Sequence, residues 1–485
     1  MMRPRKTSGR RRASCPPCGG RLTRPAIATL VAALLALSLF LPSPTAAQEE
    51  TTRERIERLE RTVQELRAKL AERDTAGIAE LRRQMEIVLR ELEEMRLGRE
   101  VTVEADTTFF GLAPAASKVY RARPGVSIGG YGELLYESFS GTREDGTPSG
   151  ATDRFDALRT ILYVGYKFND RLLFNSEIEV EHGTTDEGVG EVSLEFGYLD
   201  FLLTDRIGLR AGLLLPPMGF INEQHEPPTF LGTERPETER RIIPSTWREN
   251  GIGIFGAARG LDFRAYLING FDAVGGGSSK ASGFGASGLR GGRQKGAKAV
   301  AEDFAGVARV DYTRVLGLLV GSSLYYGQAG QNAPSLTRPG ETVDARTLIW
   351  ELHGQYRARG LDLRGLFALA DVDDVAELNR IKGLEGAESI GERMLGGYIQ
   401  AGYDLLHRAR TPHQLLPYVR FERLDTQDAV PAGFLADPAN DQTILSLGAA
   451  WKPIPNFILK TDYQIHESEA NTGVDQFNVA LGYLF

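Results

Sequence analysis

The last stretch of the chain, Gly473 to Phe485, reads GVDQFNVALGYLF. Phe477, Val479, Leu481, Tyr483 and Phe485 recur at strict period two, while Asn478, Ala480 and Gly482 between them are small or polar. Asp475 lies one step out of phase with Asn478. Period two with one apolar face is a strand signal. In lipid every backbone N–H and C=O must be paired, so a spanning sheet closes on itself. Its strands then turn apolar side chains outward and polar ones inward. The stretch therefore predicts the closing strand of a transmembrane barrel. The alternative is the last strand of a soluble sheet.

Working back from this strand, the chain alternates short turns with long polar loops. Tight turns fall near Asn169-Asp170, Thr204-Asp205, Arg259-Gly260, Arg314-Val315, Arg359-Gly360, Arg408 to Pro412 and Pro453 to Asn456. Longer loops cover about 139–153, 183–188, 215–249, 272–302, 328–343, 373–390, 425–439 and 467–472. These connections predict an all-β transmembrane barrel over 126–485, with about sixteen antiparallel strands of roughly 9–13 residues each. An even count puts both barrel ends on the short-turn, periplasmic side. A β-propeller would need a blade motif at fixed period, and the sequence has none.

The strand faces agree. Leu172, Phe174, Ile178 and Val180 alternate with Asn175, Glu177, Glu179 and Glu181. Leu459, Tyr463 and Ile465 alternate with Lys460, Asp462, Gln464 and His466. Glu133, Arg159, Arg210, Arg264, Arg309, Arg364 and Arg420 are further inward candidates. A dry core would penalise such groups heavily, so the expectation is a wide, water-filled barrel that keeps them solvated.

Residues 1–47 read as a secretory signal. Eight Arg and Lys precede the apolar run Ala26 to Leu41, and Thr45-Ala46-Ala47 offers a small-residue cleavage site. The run is short for a membrane anchor. Cys15 and Cys18, the chain's two cysteines, lie in this segment, so the mature chain is expected to need no disulfide. Removing residues 1–47 takes eight cations and no acid, so the net charge falls from −7 to −15. That balance argues against nucleic acid as a partner.

Residues 48–97 predict a periplasmic α-helical coiled coil. Ile56, Leu59, Val63, Leu66 and Leu70 recur at 3-4 spacing, as do Ile78, Leu81, Met85, Val88, Leu92 and Met95. The alternative is one amphipathic helix folded back on a surface. Residues 98–125 hold Gly111, Pro114 and Pro124 without sustained period and read as a linker.

The longest loop, Leu215 to Asn250, is the third long one. Six prolines (Pro216, Pro217, Pro227, Pro228, Pro236, Pro244) forbid regular strand pairing there. Facing charges across a constriction filter ions by field and size. The candidate constriction is Glu223, His225, Glu226, Arg235, Arg240, Arg241 and Arg248 against the wall residues Glu177 and Glu179. An external lid with solvated charges is the alternative. From Ala273 to Ala301 the fourth long loop carries Lys280, Arg290, Arg293, Lys295 and Lys298 and no acid. At a pore mouth that charge would concentrate anions; otherwise the loop is a flexible, solvated one.

These features together resemble the phosphate-selective porin O and P group of outer-membrane porins. The likeness rests on the barrel plan, the stretch LRAGLLLPPMGF (Leu209 to Phe220) and the terminal Phe485, and covers roughly 126–485. The resemblance implies a homotrimer of sixteen-stranded channels with basic residues lining an anion path. The acidic stripe Glu177, Glu179, Glu181 departs from that pattern, so no phosphate-binding residue is carried over.

Catalytic motifs fail on context. Gly125-Val126-Ser127-Ile128-Gly129 matches GxSxG, but it continues as strand rather than turning into a helix. Gly283 to Gly288 matches GxGxxG with no helix to receive a phosphate. The six histidines show no metal spacing. The expectation is therefore no catalytic residue, cofactor or metal, and an outer-membrane porin in contact with lipid that passes small hydrophilic solutes or ions, anions such as phosphate among them. Two other classes stay open: an anchor that ties the outer membrane to peptidoglycan through the coiled coil, and, more remotely, a barrel-rim esterase or protease.

Overall fold

The computed structural model describes Arg61, Gln64, Glu65, residues 108–185 and residues 189–485. The chain divides into two compact units, 1–97 and 98–485. The expected signal segment lies outside the described residues. So does most of the expected coiled coil, of which Arg61, Gln64 and Glu65 are described, all helical and exposed.

The second unit is a closed barrel with sixteen strands among the described residues. They are β1 (Gly125–Phe139), β2 (Arg154–Lys167), β3 (Leu172–Glu181), β4 (Val192–Thr204), β5 (Ile207–Leu214), β6 (Glu249–Ala258), β7 (Leu261–Asn269) and β8 (Phe304–Tyr312). Then follow β9 (Leu318–Gly327), β10 (Thr347–Ala358), β11 (Leu361–Val372), β12 (Arg393–Tyr403), β13 (Gln414–Ala429), β14 (Asp441–Ile454), β15 (Phe457–Ser468) and β16 (Gln476–Leu484). Each strand pairs antiparallel with its sequence neighbours, and β1 pairs with β16 to close the ring. Short and long connections alternate as the turn signals predict.

The closing seam shows why the final stretch reads as it does. Leu134 lies opposite Leu481, and Gly130 and Phe485 exchange backbone hydrogen bonds of 3.0 and 2.9 Å. The Tyr483 ring lies across Gly132, where a Cβ would sit 2.4 Å from the phenol oxygen. Glycine there lets an aromatic cover the seam from outside, while Gln476, Asn478 and Ala480 point inward and are buried. Ile252, Leu267 and Ile399 are each more than half exposed on the outer wall. That apolar band is the surface a bilayer covers.

The interior departs from the expected open lumen. Glu133, Arg210, Arg264, Arg309, Arg364 and Arg420 point inward as anticipated but are buried, because protein fills the space around them. Trp247, Phe271 and Phe284 of the long loops form an aromatic core with Tyr325 of β9, with Trp247 stacked on Phe271 at 4.5 Å. The expected linker also differs where it is described. Residues 108–124 enter the barrel, carry the short helix α1 (Lys118–Arg121), and bury Leu112, Ala113, Ala115, Ala116 and Val119. Short apolar residues without period gave no sign of this, because their burial depends on the wall they meet.

Candidate constriction inside the barrel

The third long loop, 215–248, folds into the lumen and carries the short helix α2 (Thr238–Arg241). Its prolines keep it out of the strand ladder, so its backbone groups need other partners. Wall side chains supply them. Arg309 donates to the Gly219 carbonyl, Lys452 to Pro228 at 2.8 Å, Arg364 to Thr229 at 2.9 Å and Lys460 to Gly232 at 2.9 Å. Wall carboxylates take the N–H groups: Asp462 from Thr233 at 2.9 Å and Glu422 from Thr238 at 2.7 Å. Glu239 accepts from the N–H groups of Phe220 and Ile221 within the loop and from the hydroxyl of Tyr398 on β12. The loop is thus suspended from wall charges on opposite sides of the barrel.

These cations are regularly placed. Arg210, Arg264, Arg364 and Lys460 are each the fourth residue of a strand that follows a short turn. They therefore stand near the short-turn end of the wall. Arg210 pairs with Asp200 at 2.8 Å. Arg264 and Arg309 share Asp311, whose other neighbour is His353, itself held by Glu351.

The nine candidate constriction residues do not all meet one another. His225 Nε2 lies 3.0 Å from Glu177, both buried. Glu223 lies 3.4 Å from Arg264. Both Glu226 oxygens accept backbone hydrogen bonds, from Ala115 at 3.1 Å and Ala116 at 2.9 Å. Arg248 pairs with Glu195 and Arg241 with Glu237, while half-exposed Arg240 also reaches Glu237 at 3.0 Å. Glu179 lies 3.8 Å from Arg159, which also meets Glu133 at 3.2 Å. The expected facing of loop arginines with Glu177 and Glu179 is therefore replaced by His225 and Arg159. Alternation marked Arg159 as inward, but nothing local in sequence reveals its partners.

Arg235 is the exception. Burial holds its guanidinium below its usual range, and the nearby Arg159 adds to this. Its Nη2 and the Tyr131 hydroxyl are buried without a hydrogen-bond partner among the described residues. Buried polar groups in that state are ordinarily met by water. A cavity of about 780 Å3 opens elsewhere in the lumen, lined by Phe110, Tyr120, Glu223, Arg264, Arg309 and Asp311 among others.

The basic fourth loop is corrected in part. Arg290 donates to the Ser245 carbonyl at 2.8 Å, and Arg293 to the Ser245 and Thr246 carbonyls at 2.7 and 2.8 Å. Both are staples between the third and fourth loops rather than charges free at a mouth, because each guanidinium fork is taken up by carbonyls. Lys295 pairs with Glu191 at 3.1 Å. Lys280 and Lys298 are exposed.

A closed sixteen-stranded barrel, apolar outside and polar within, with its third long loop folded inward, defines a porin-like membrane barrel. The chain belongs to the same family as an uncharacterized protein of Aquifex aeolicus (strain VF5), with 36% identity over 393 residues, covering 79% of this chain and 86% of that protein. No family model matches the chain. Solved structures similar to it include OmpF of Salmonella typhi in complex with daunomycin, at TM-score 0.49 and 12% identity over 74% of this chain and 97% of that one. The outer-membrane channel DcaP of Acinetobacter baumannii gives TM-score 0.47 and 11% identity over 74% and 97%. An anion-selective porin from Comamonas acidovorans gives 0.44 and 13% over 74% and 99%.

Proposed function

We propose that the protein is an outer-membrane channel for passive diffusion of small hydrophilic solutes or ions, selected by size and charge at the third loop. The observation that carries this reading is the loop hung across the lumen with Arg235 facing Arg159, Tyr131, Glu133 and Glu179, and with polar atoms there left unpartnered. Fixed charges at such a point set ion partition. Passage of anions, phosphate among them, is the narrower form of the proposal and follows the resemblance to the phosphate-selective porin group. Purified protein in a planar bilayer tests both. Open steps support a channel. Arg235→Gln with Arg240→Gln removes two cations and should shift the reversal potential in a salt gradient toward cations. An unchanged reversal potential with unchanged conductance removes the third loop from the ion path. A silent barrel overturns the channel and supports an anchor reading instead.

A further inference from the structure

Residues 108–122 enter the lumen as the third loop does, but they are held differently. Their described backbone hydrogen bonds run within the segment itself: Leu112 to Phe109, Ser117 to Ala113, Tyr120 to Ser117 and Ala122 to Lys118. Their ties to the barrel run through side chains. Glu226 grips the N–H groups of Ala115 and Ala116. Asn175 donates to the Ala116 carbonyl at 2.8 Å, and Tyr120 sits between Asp200 and Arg210 at 2.5 and 2.7 Å. Phe110 packs edge-on against Phe255 at 4.7 Å. Such a segment can leave without breaking a strand ladder.

Its position is specific. Glu226 neighbours His225 and Glu177, which lie on the same β1–β3 side of the lumen as Arg159, Tyr131 and Arg235. The segment therefore lies across the short-turn end of the passage that those groups line. The wall is shaped to receive it. At Gly165 in β2 a Cβ would come 2.7 Å from Val119 Cγ2, so only glycine leaves room for Val119.

We propose that residues 108–122 are a tethered stopper for the pore, seated on Gly165 and latched to the third loop by Glu226. This rests on the channel reading. While the stopper is seated, the passage between the third loop and the β1–β3 wall is narrowed at its short-turn end. When it leaves, the passage widens and more ions pass. The chain before residue 108 is the tether through which a periplasmic load would reach it.

The test uses the full chain with Cys15 and Cys18 replaced by Ser and a reporter, Val119→Cys, buried when the stopper is seated. Two variants unseat it independently: Glu226→Ala removes the latch, and Gly165→Leu fills the seat without touching the third loop. Each should make the cysteine reactive to a water-soluble maleimide and raise unitary conductance in a planar bilayer above that of the reporter chain alone. Two variants guard against one of them simply misfolding. An open parent channel whose cysteine and conductance change in neither variant overturns the stopper alone. A cysteine that becomes reactive without a rise in conductance in an otherwise open channel also overturns it, because the segment then leaves without opening anything. Reactive cysteines in a barrel that stays silent overturn the channel reading, and the stopper with it.

Discussion

At the scale of single residues, Glu226 is the group where burial and bonding oppose each other. Burial pushes its carboxyl up to about 7, although two N–H donors and His225 favour the charged form. Glutamate in an unfolded chain titrates near 4.3. The folded state therefore binds the extra proton, and stability falls as pH rises from about 4.3 through about 7, by up to about 4 kcal/mol at this site. Burial pulls the His225 imidazole down, but the Glu177 carboxylate outweighs it and the net direction is up. Its contribution is complete below about 6.5 and is lost as pH rises through the folded value, so it acts in the same sense. The thermal midpoint in detergent should be higher at pH 5.5 than at pH 8, and Glu226→Gln should flatten that slope without abolishing it. A midpoint independent of pH in the parent chain contradicts the argument. Glu377 in the sixth long loop behaves oppositely: burial raises its carboxyl, but hydrogen bonds from Ser335, Thr337 and Leu336 bring it down to about 2. Its tie fails only as pH falls below about 4.3, outside the window of the test.

At the scale of elements, what could be read from sequence and what could not divide cleanly. Strands such as β15 and β16 announce themselves because period two and flanking turns are local properties, and all seven short turns and eight long loops emerge where those signals lie. The infolding of the third loop was legible in part, since six prolines exclude it from any ladder. Its partners were not, because Thr233 meets Asp462 across 229 residues of chain and Thr238 meets Glu422 across 184. Residues 108–124 read as a linker for the same reason: nothing within them records the room that Gly165 leaves for Val119. The loops also hold one another, which local patterns do not show. Trp247 of the third loop is fully buried against Phe271 and Tyr325, and Arg290 and Arg293 of the fourth loop bond the residues just before it. Trp247→Ala should cost about 3–5 kcal/mol of loop docking and expose both arginines. Limited trypsin digestion should then cut the variant after Arg290 or Arg293 while the parent stays intact there; equal resistance would show that the staples hold without the indole.

At the scale of the whole molecule, closure has a consequence for assembly. A ring in which β1 pairs with β16 offers no free edge, so a second copy cannot join by adding a strand. Association must then use the apolar outer wall or the chain ahead of the barrel. The outer wall is matched to lipid, and lipid competes for it with any protein neighbour. In the periplasmic place expected for them, the heptads at 56–70 and 78–95 would face no such competition, and burying their Leu and Ile positions there would be directly favourable. Following the resemblance to the phosphate-selective porin group, which implies a homotrimer, we expect a trimer whose stability in mild detergent depends on residues 51–97. Deleting them should convert trimers to monomers by light scattering and by chemical cross-linking, while each barrel still folds, because its ladder closes within one chain. Trimers of undiminished stability after the deletion would place the contact on the barrel wall and leave the expected coiled coil for another partner, with peptidoglycan the first to test. The stopper separates these cases further. If the expected coiled coil binds a partner, tension on it passes through residue 108 to the Glu226 latch, and the same deletion should change channel opening even where it leaves oligomers untouched.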